Sequence, residues 1–205
     1  MYHQPVGDLT GFILAGGKST RMETDKAFLQ MGGRTLLAHA MEVARAVAGE
    51  VRIVGDVARF ASFGGVIEDV YRERGPLGGI HAALNATTTD LNLMLAVDLP
   101  FVESGLLKYL ISQAQTSGAV VTVPRAGGGL QPLCAVYRRE FGAIAERSLR
   151  AGKNKIDPLF TQVKTRVLEE AELLREGFST EMFRNLNTPE DFERASQKQG
   201  GTQTK

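Results

Sequence analysis

The sequence is poor in several features that mark common classes of protein. It has one cysteine, Cys134, among 205 residues, which excludes an internal disulfide and a metal cluster built on several cysteines. A buried apolar role is expected for this thiol rather than a nucleophilic one. The three histidines, His3, His39 and His81, show no spacing typical of metal ligands. The two later ones fall in predicted helices, where a packed or surface role is expected.

Strong net charge and long apolar runs are missing as well. The 24 basic and 23 acidic side chains leave a net charge of +1, which argues against a broad nucleic-acid-binding surface. No apolar run approaches the roughly 18 residues of a membrane span, and residues 1–10 lack the basic start and apolar stretch of a signal peptide. We therefore expect a cytoplasmic protein without a membrane or nucleic-acid partner. Because 43% of the residues are apolar, the chain can bury a substantial core.

What the chain does contain is a regular alternation of short apolar runs with helical patterns, which is typical of an α/β protein with a mainly parallel sheet. Strands are predicted at 12–15, 51–54, 66–67, 93–97, 119–123 and 165–168, and an antiparallel strand at 131–137. Helices are predicted at 36–47, 80–86, 104–117, 141–150 and 157–162. The glycines at 127–129 are expected to form a flexible link. Residues 1–196 are expected to form one domain, and residues 197–205 a disordered tail with almost nothing to bury.

Two glycines follow the first predicted strand, and three cations come soon after them. The stretch is Phe12-Ile13-Leu14-Ala15-Gly16-Gly17-Lys18-Ser19-Thr20-Arg21-Met22, closed by Asp25-Lys26. Glycines let the backbone turn sharply and bring its N–H groups close to a ligand, and Lys18, Arg21 and Lys26 would balance phosphate charge. The pattern therefore indicates a phosphate-binding loop. An ordinary strand-to-helix turn with a basic face is the alternative.

The spacing of these glycines excludes two better-known phosphate loops. A Walker A loop that ends at Gly17 and Lys18 needs a glycine at position 12, where the chain has Phe12. A Rossmann fingerprint that begins at Gly16 needs glycines where the chain has Lys18 and Arg21. The loop is therefore of a third kind.

A second signal lies at the end of the most apolar predicted strand. Residues 93–97 are apolar and run directly into Asp98, Leu99 and Pro100, so a carboxylate stands where a buried strand stops. Hard cations such as Mg²⁺ bind carboxylate oxygens together with substrate phosphates. Asp98 is therefore the candidate metal ligand, facing the glycine loop. An aspartate that caps a helix or a turn is the alternative.

A third signal is the loop after the strand at 66–67. Asp69 ends that strand, and Gly75-Pro76-Leu77-Gly78-Gly79 follows shortly afterwards. Loops at the carboxyl ends of parallel strands are where open α/β sheets bind ligands, so this loop is expected beside the first one. A plain surface loop is the alternative.

Four stretches of the chain together resemble the molybdenum cofactor guanylyltransferases, a family of nucleotidyltransferases. The resemblance spans residues 12–195 and rests on LAGG, RM and DK between 14 and 26, on ED and GPLGG between 68 and 79, on DLP at 98–100 and on NLNTPED at 185–191. The QPL run at 131–133 is similar to the region that borders the second substrate in that family. The resemblance implies a Rossmann-like, three-layer nucleotidyltransferase fold of the GT-A-like type, with a mainly parallel sheet.

The resemblance also implies an activity and a set of site residues. The terminal phosphate of molybdenum-molybdopterin would attack the α-phosphorus of GTP with Mg²⁺ as cofactor, pyrophosphate would leave, and molybdopterin guanine dinucleotide would form. The implied catalytic residues are Lys26, Arg21 and Asp98, the last also as metal ligand. The implied nucleotide-binding residues are Leu14, Ala15, Gly16, Gly17, Lys26, Asp69 and Asp98. The implied substrate-binding residues are Gly78, Gln131, Asn185 and Asn187. Transient contact with cofactor-insertion proteins or molybdoenzymes is a further implication.

Two other functions stay open at this point. One is a related nucleotidyltransferase that uses CTP or acts on another phosphorylated acceptor such as a sugar phosphate, although the pair Asp25-Lys26 favours GTP. The other is a nucleotide-binding or cofactor-carrier module without catalysis. Glu23 favours this second alternative, because it stands where the resembling family has a glycine.

Overall fold

The computed structural model describes residues 9–16, 26–71, 73–186 and 191–192. Its strands are β1 (Leu9–Leu14), β2 (Gln30–Met31), β3 (Arg34–Thr35), β4 (Glu50–Val54), β5 (Val66–Ile67), β6 (Leu91–Ala96), β7 (Val121–Ala126), β8 (Gly129–Leu130), β9 (Cys134–Arg138) and β10 (Thr165–Leu168). Its helices are α1 (Leu36–Arg45), α2 (Val57–Phe60), α3 (Pro76–Ala86), α4 (Ser104–Ser117), α5 (Phe141–Arg150), α6 (Asp157–Phe160) and α7 (Glu170–Arg175). Short 3₁₀ helices lie at 26–28, 61–63 and 180–183.

The main sheet has the strand order β10-β7-β9-β6-β1-β4-β5, with β8 paired to β7. Strands β6, β1, β4 and β5 pair in parallel, as do β10 and β7. Strand β9 is antiparallel to both of its neighbours, β6 and β7. The prediction of a mainly parallel sheet with one antiparallel strand after residue 131 is therefore confirmed.

Helices cover both faces of this sheet, because side chains alternate between the two faces along each strand. Apolar residues of α1 and α4 pack on one face with Ile13, Ile53 and Leu95. Residues of α3, α5 and α6 pack on the other face with Phe12 and Met94. All six residues of both β1 and β6 are buried, as expected for central strands covered on both sides. The result is a three-layer arrangement with a core on each face of the sheet.

The helices form where the sequence offers amphipathic spacing and caps. Helix α1 buries Leu36, Leu37, Ala40, Met41 and Ala44, and the Thr35 side chain accepts a hydrogen bond from the Ala38 amide at its amino end. Helix α4 ends at Ser117 and is capped by Gly118, which adopts the left-handed conformation expected of a helix-terminating glycine.

No helix among the described residues is long and apolar enough to cross a membrane.

Several details differ from the prediction. Helix α3 begins at Pro76 and not at residue 80, and helix α6 ends at Phe160 and not at residue 162. Strand β7 continues through Pro124 instead of ending before it. Proline has no N–H to donate, but the β7–β9 pairing already ends at Thr122, so no hydrogen bond to β9 is lost at Pro124. The Pro124 carbonyl accepts a hydrogen bond from the Gln131 amide.

Instead of a flexible link, Gly127 and Gly128 form a tight hairpin turn between β7 and β8, both with positive φ, and Gly129 begins β8. Helices α2 and α7 were not predicted.

Cys134 is fully buried in β9, and burial raises the pKa of its thiol to about 12. The expected apolar role of this cysteine is therefore confirmed, since a thiol with such a pKa carries almost no thiolate at neutral pH.

Candidate active site

The parallel strands β1, β4 and β6 end at the same edge of the sheet. Leu14 is in register with Val54 of β4 and with Ala96 of β6. The backbone bonds continue one step further: the Ala15 amide donates to Val54 at 3.0 Å, and the Val97 amide donates to Leu14 at 3.2 Å. The ladder leaves Gly16 exposed just beyond the edge. The backbone of Leu14, Ala15 and Gly16 is thus presented where an open α/β sheet binds ligands.

Lys26 and Asp98 meet at this edge. Lys26 begins the 3₁₀ helix at 26–28, and Asp98 lies two residues beyond the end of β6. Lys26 Nζ lies 3.8 Å from Asp98 Oδ2, and the two side chains are 19% and 23% exposed. The residues are 72 positions apart in the chain, so the fold rather than local sequence brings this cation and this carboxylate together.

The environment of Asp98 suits a metal ligand. Burial raises the pKa of its carboxyl, and the charge of Lys26 lowers it without cancelling that effect. Its oxygens are the hard donors that Mg²⁺ prefers, and Mg²⁺ sites in proteins commonly use one or two carboxylates, completed by phosphate and water. No group of three or more potential metal-ligating side chains occurs in the described part of the chain. A cation here would therefore depend on substrate phosphates for much of its coordination.

Asp69 forms a second acidic position, between β5 and α3. Its Oδ1 accepts a hydrogen bond of 2.8 Å from the Tyr71 amide. Burial raises the pKa of the Asp69 carboxyl, while the Tyr71 N–H and the nearby His81 lower it. Gly78 is buried directly beneath this carboxylate, since a Cβ built on Gly78 would lie 2.9 Å from Oδ1 and closer still to Oδ2.

The first turn of α3 connects Asp69 to the same sheet edge. A Cβ built on Gly79 would lie 3.6 Å from Val54 Cγ1 and 3.7 Å from Leu14 Cδ2. The helix therefore begins against the ends of β1 and β4. The loop that carries Asp69 borders the edge formed by Leu14 to Gly16, as the sequence predicted.

The segment that contains Asn185 reaches Asp98 from the far end of the chain. The Leu186 amide donates a 3.1 Å hydrogen bond to the Asp98 carbonyl, and Asn185 is exposed beside it. Leu186 is buried in the core with Phe183, which holds the segment in place. The Leu186 backbone contact brings the segment that carries Asn185 to Asp98.

Gln131 lies in the turn between β8 and β9. Its side-chain amide donates to the Ala126 carbonyl at 3.0 Å, and its backbone N–H donates to Pro124 at 2.9 Å. These bonds fix the turn. The structure gives Gln131 a local structural role and does not bring it to the Lys26–Asp98 pair through any described contact.

Three of the predicted site residues lie outside the described residues. These are Gly17, Arg21 and Asn187. Lys18, Glu23 and Asp25 of the same glycine loop also lie outside them.

Two residues near Asp69 were missed as site residues by sequence reasoning. Tyr71 supplies the amide that binds the Asp69 carboxylate, and His81 packs edge-on against the Tyr71 ring at 5.1 Å between ring centroids. The packed role expected of His81 is confirmed, since it is 6% exposed. Its spacing of three residues from Gly78 indicates that the two residues share one face of the helix, whereas the contact of that face with Asp69 has no signal in the sequence.

Comparison with known proteins agrees with this geometry. The family model described as the MobA-like NTP transferase domain matches residues 11–165. A protein of Pelotomaculum thermopropionicum, named a probable molybdenum cofactor guanylyltransferase, is 38% identical over 188 residues, or 91% of each chain. A molybdenum cofactor guanylyltransferase of Syntrophotalea carbinolica is 35% identical over 89% of this chain and 88% of its own.

Solved structures share the fold at lower sequence identity. The crystal structure of molybdopterin-guanine dinucleotide biosynthesis protein A from Archaeoglobus fulgidus has a TM-score of 0.82 at 23% identity, covering 94% of this chain and 100% of that one. A CMP:2-keto-3-deoxy-manno-octonic acid synthetase complexed with CTP has a TM-score of 0.74 at 14% identity, covering 95% and 99%. These likenesses confirm the predicted nucleotidyltransferase fold. Together with the sequence matches, they show that the chain belongs to the MobA-like NTP transferase family.

Proposed function

We propose that this protein transfers GMP from GTP to molybdenum-molybdopterin, forming molybdopterin guanine dinucleotide and releasing pyrophosphate. The observation that carries the proposal is the pairing of Lys26 and Asp98 at the carboxyl edge of the sheet, 3.8 Å apart. The names of relatives at 38% and 35% identity support the choice of nucleotide and acceptor.

The chemical problem in this reaction is the accumulation of negative charge. Two phosphate-bearing anions must approach each other, and charge develops on the leaving pyrophosphate. Fixed cations and backbone N–H dipoles stabilise such charge most effectively in a partly buried site. Lys26, which is held by the 3₁₀ helix and is 19% exposed, would neutralise the triphosphate. Arg21 is proposed to assist it, and the backbone of Leu14, Ala15, Gly16 and Gly17 to bind the nucleotide.

The family's reaction is expected to use a divalent cation, and we propose Mg²⁺ with Asp98 as its ligand. The cation would offset phosphate charge where the bond to pyrophosphate breaks. Burial raises the pKa of the Asp98 carboxyl, and a cation beside it would favour the ionised form. Lys26 would hold the other side of the carboxylate and keep it oriented toward the phosphates.

Guanine recognition is assigned to Asp69. Its carboxylate can accept both N–H donors on the guanine edge, and the first turn of α3 places it beside the ends of β1 and β4. Neither cytosine nor adenine offers the same pair of donors. The neighbouring exposed edge would accommodate the ribose and phosphates between Asp69 and Lys26.

The acceptor is proposed to bind on the side of Asp98 where the Asn185 segment arrives. Asn185 and Asn187 would contact molybdopterin, with Gln131 as a further substrate-binding residue. A general base is unnecessary, because a phosphate monoester is already largely ionised at neutral pH. Positioning and electrostatics would therefore supply most of the acceleration.

The expected domain organisation, location and partners of the protein are consistent with this function. We propose that residues 1–196 act as one domain, followed by a disordered tail at 197–205, and that the protein works in the cytoplasm. Transient contact with cofactor-insertion proteins or molybdoenzymes would then deliver the product.

The decisive experiment measures nucleotide binding and turnover in the same preparations. GTP, CTP and ATP are titrated with Mg²⁺ by calorimetry, and pyrophosphate release is followed after addition of molybdenum-molybdopterin. We expect selective GTP binding and GTP-dependent release. Replacing Lys26 by Met or Asp98 by Asn should reduce kcat by about 100-fold or more, because each removes a charge from the reacting phosphates.

A lysine far from the site provides the matched control. Lys164 Nζ donates to the Ser117 carbonyl at 2.8 Å, just before β10, so Lys164→Met should retain wild-type kcat. Preferential CTP turnover would assign the protein to the cytidylyl alternative. Mg²⁺-dependent GTP binding without turnover would instead support the carrier module, and normal turnover in Lys26→Met would contradict the assigned role of Lys26.

A further inference from the structure

The Asp69 carboxylate rests directly on the backbone of α3. One oxygen accepts the Tyr71 N–H at 2.8 Å, and the other lies so close to Gly78 that no Cβ fits between them. Real Cβ atoms are not found within 3.0 Å of other heavy atoms, and here the obstacle would be a half-buried side chain held by a hydrogen bond. Any side chain at position 78 would therefore displace the carboxylate.

The neighbouring glycine behaves differently. Gly79 follows in the same helical turn, yet a Cβ built there would make only ordinary van der Waals contact with Val54 and Leu14, at 3.6 and 3.7 Å. Helix interiors otherwise favour alanine over glycine. Packing thus requires a glycine at position 78 but not at position 79.

His81 lies in the next turn of the helix and interacts electrostatically with the same carboxylate. It lies three residues after Gly78, so the two residues share one face of α3. The imidazole is 6% exposed and meets the Tyr71 ring edge-on, with an interplanar angle of 72°. Its Nδ1 is buried without a hydrogen-bond partner among the described residues. A buried polar atom of this kind is rare enough in proteins to call for a reason beyond packing.

Helix α5 holds Tyr71 from the opposite side. Arg150 Nε lies 3.4 Å from the Tyr71 hydroxyl, and Arg150 also pairs with Glu146 one turn earlier in α5. Tyr71 is therefore in contact with both helices while its amide binds Asp69. Neither Tyr71 nor His81 needs to reach a ligand in order to fix the carboxylate.

We propose that Gly78 and His81 are positioning residues that set the location of the Asp69 carboxylate and, through it, the preference for guanine over other bases. The inference rests on the proposed function, in which Asp69 reads the guanine edge. In this role Gly78 acts on the nucleotide through Asp69 rather than by touching a substrate. Position 78 must be a glycine because a Cβ there would take the space that the Asp69 carboxylate occupies.

The test compares GTP with ITP, which lacks the exocyclic amino group that one oxygen of Asp69 would bind. The readout is the ratio of kcat/KM values for the two nucleotides. Asp69→Ala sets the ratio expected when the contact is lost. Gly78→Ala should lower the ratio by about tenfold, comparable to losing one good hydrogen-bonded base contact, and Gly79→Ala should leave it within about twofold of wild type.

A second variant covers the case in which Gly78→Ala does not fold, which circular dichroism and thermal unfolding will reveal. His81→Leu introduces no clash and should raise the KM for GTP and lower the GTP:ITP ratio, with kcat at saturating GTP retained. In an Asp69→Ala background, neither substitution should change the ratio further, because no carboxylate remains to be positioned.

The outcomes separate the two claims. Wild-type protein without GTP-dependent pyrophosphate release would contradict the proposed function. Wild-type turnover with an unchanged GTP:ITP ratio in folded Gly78→Ala and in His81→Leu would overturn the positioning role alone. An equal fall in Gly78→Ala and Gly79→Ala would also overturn it, since the effect would then follow from stiffening the helix.

Discussion

At the scale of single residues, Asp69 is a carboxylate that the fold makes harder to ionise. Burial raises its pKa above the ordinary value of 3.8, although the Tyr71 N–H and His81 act in the other direction. The folded state therefore holds the proton more tightly than the unfolded state. Such a group contributes stability that is fully present below its unfolded pKa and is lost as the pH rises through its folded pKa.

Asp69→Asn should consequently stabilise the protein at neutral pH but not in acid. Asparagine keeps the size of the side chain and an acceptor for the Tyr71 amide, and it has no charge to desolvate. Urea unfolding at pH 7 should show a higher free energy of unfolding than wild type, and the difference should shrink as the pH falls toward 3.8. An increment of the same size at both pH values would contradict this explanation.

The sequence reveals Asp98 more readily than Gly78. A charged residue after an all-apolar strand is conspicuous, because a central strand is buried on both faces and an acid at its end requires a reason. The position of Gly78 depends instead on Asp69, nine residues earlier, folding back over the first turn of α3. That contact exists only in three dimensions, so the sequence could indicate the glycine-rich loop but not the space that Gly78 provides.

At the scale of secondary-structure elements, the hairpin between β7 and β8 depends on glycine at specific positions. Gly127 has φ 59° and Gly128 has φ 80°, which suits a two-residue turn whose twist matches that of the strands. The Gly127 amide also donates to Glu170 of α7 at 3.1 Å. The turn is thus part of an ordered contact between the hairpin and a helix.

Gly128→Ala should therefore destabilise the protein by about 1 kcal/mol, because alanine is strained in the left-handed region. Gly129 provides a matched control one residue away, since it lacks a positive φ and a Cβ built there meets nothing within 4 Å. Gly129→Ala should change the free energy of unfolding by less than about 0.5 kcal/mol. Thermal or urea unfolding distinguishes the two variants, and equal effects would argue against strain at position 128.

The elements with strong periodicity were predictable, and the short ones were not. Helix α4 was predicted with the bounds that the structure shows, because its apolar residues repeat over four turns. Helix α7 spans Glu170–Arg175 and buries only Leu173, so its sequence carries little amphipathic signal. Its position is determined by tertiary contacts: Glu172 accepts hydrogen bonds from Tyr109 and from Arg166.

At the scale of the whole molecule, the site is supported by distant parts of the chain. Strand β1, strand β6 and the segment at 183–186 meet at Asp98, whose carbonyl accepts the Leu186 amide. Arg184 stacks on the Phe101 ring at 4.5 Å from its centroid, which adds a second contact between the same two regions. The resemblance located each of these regions separately, whereas their convergence follows from the strand order of the sheet.

Leu186→Ala should accordingly affect both stability and activity. Leu186 is 2% exposed, and truncating a buried leucine typically costs about 2–5 kcal/mol. The loss of packing should also loosen the backbone at Asp98 and lower kcat under conditions in which the protein remains folded. Unfolding curves and pyrophosphate release measure the two effects.

Leu174→Ala is the control for this substitution. Leu174 is 55% exposed on α7, so its truncation should change stability by less than about 0.5 kcal/mol and leave kcat unchanged. If Leu186→Ala were as stable and active as Leu174→Ala, the segment at 183–186 would not support Asp98.

The hydrogen bond from Leu186 to Asp98 also has a consequence for the protein during its synthesis. Ribosomes make a chain from its amino end, so β1, α3 and β6 leave the exit tunnel well before residue 186. A nascent chain can therefore build the sheet edge and the Lys26–Asp98 pair while the support from Leu186 is still missing. Full activity is therefore expected to begin only after translation has passed residue 186, because until then the Asp98 carbonyl lacks this hydrogen bond.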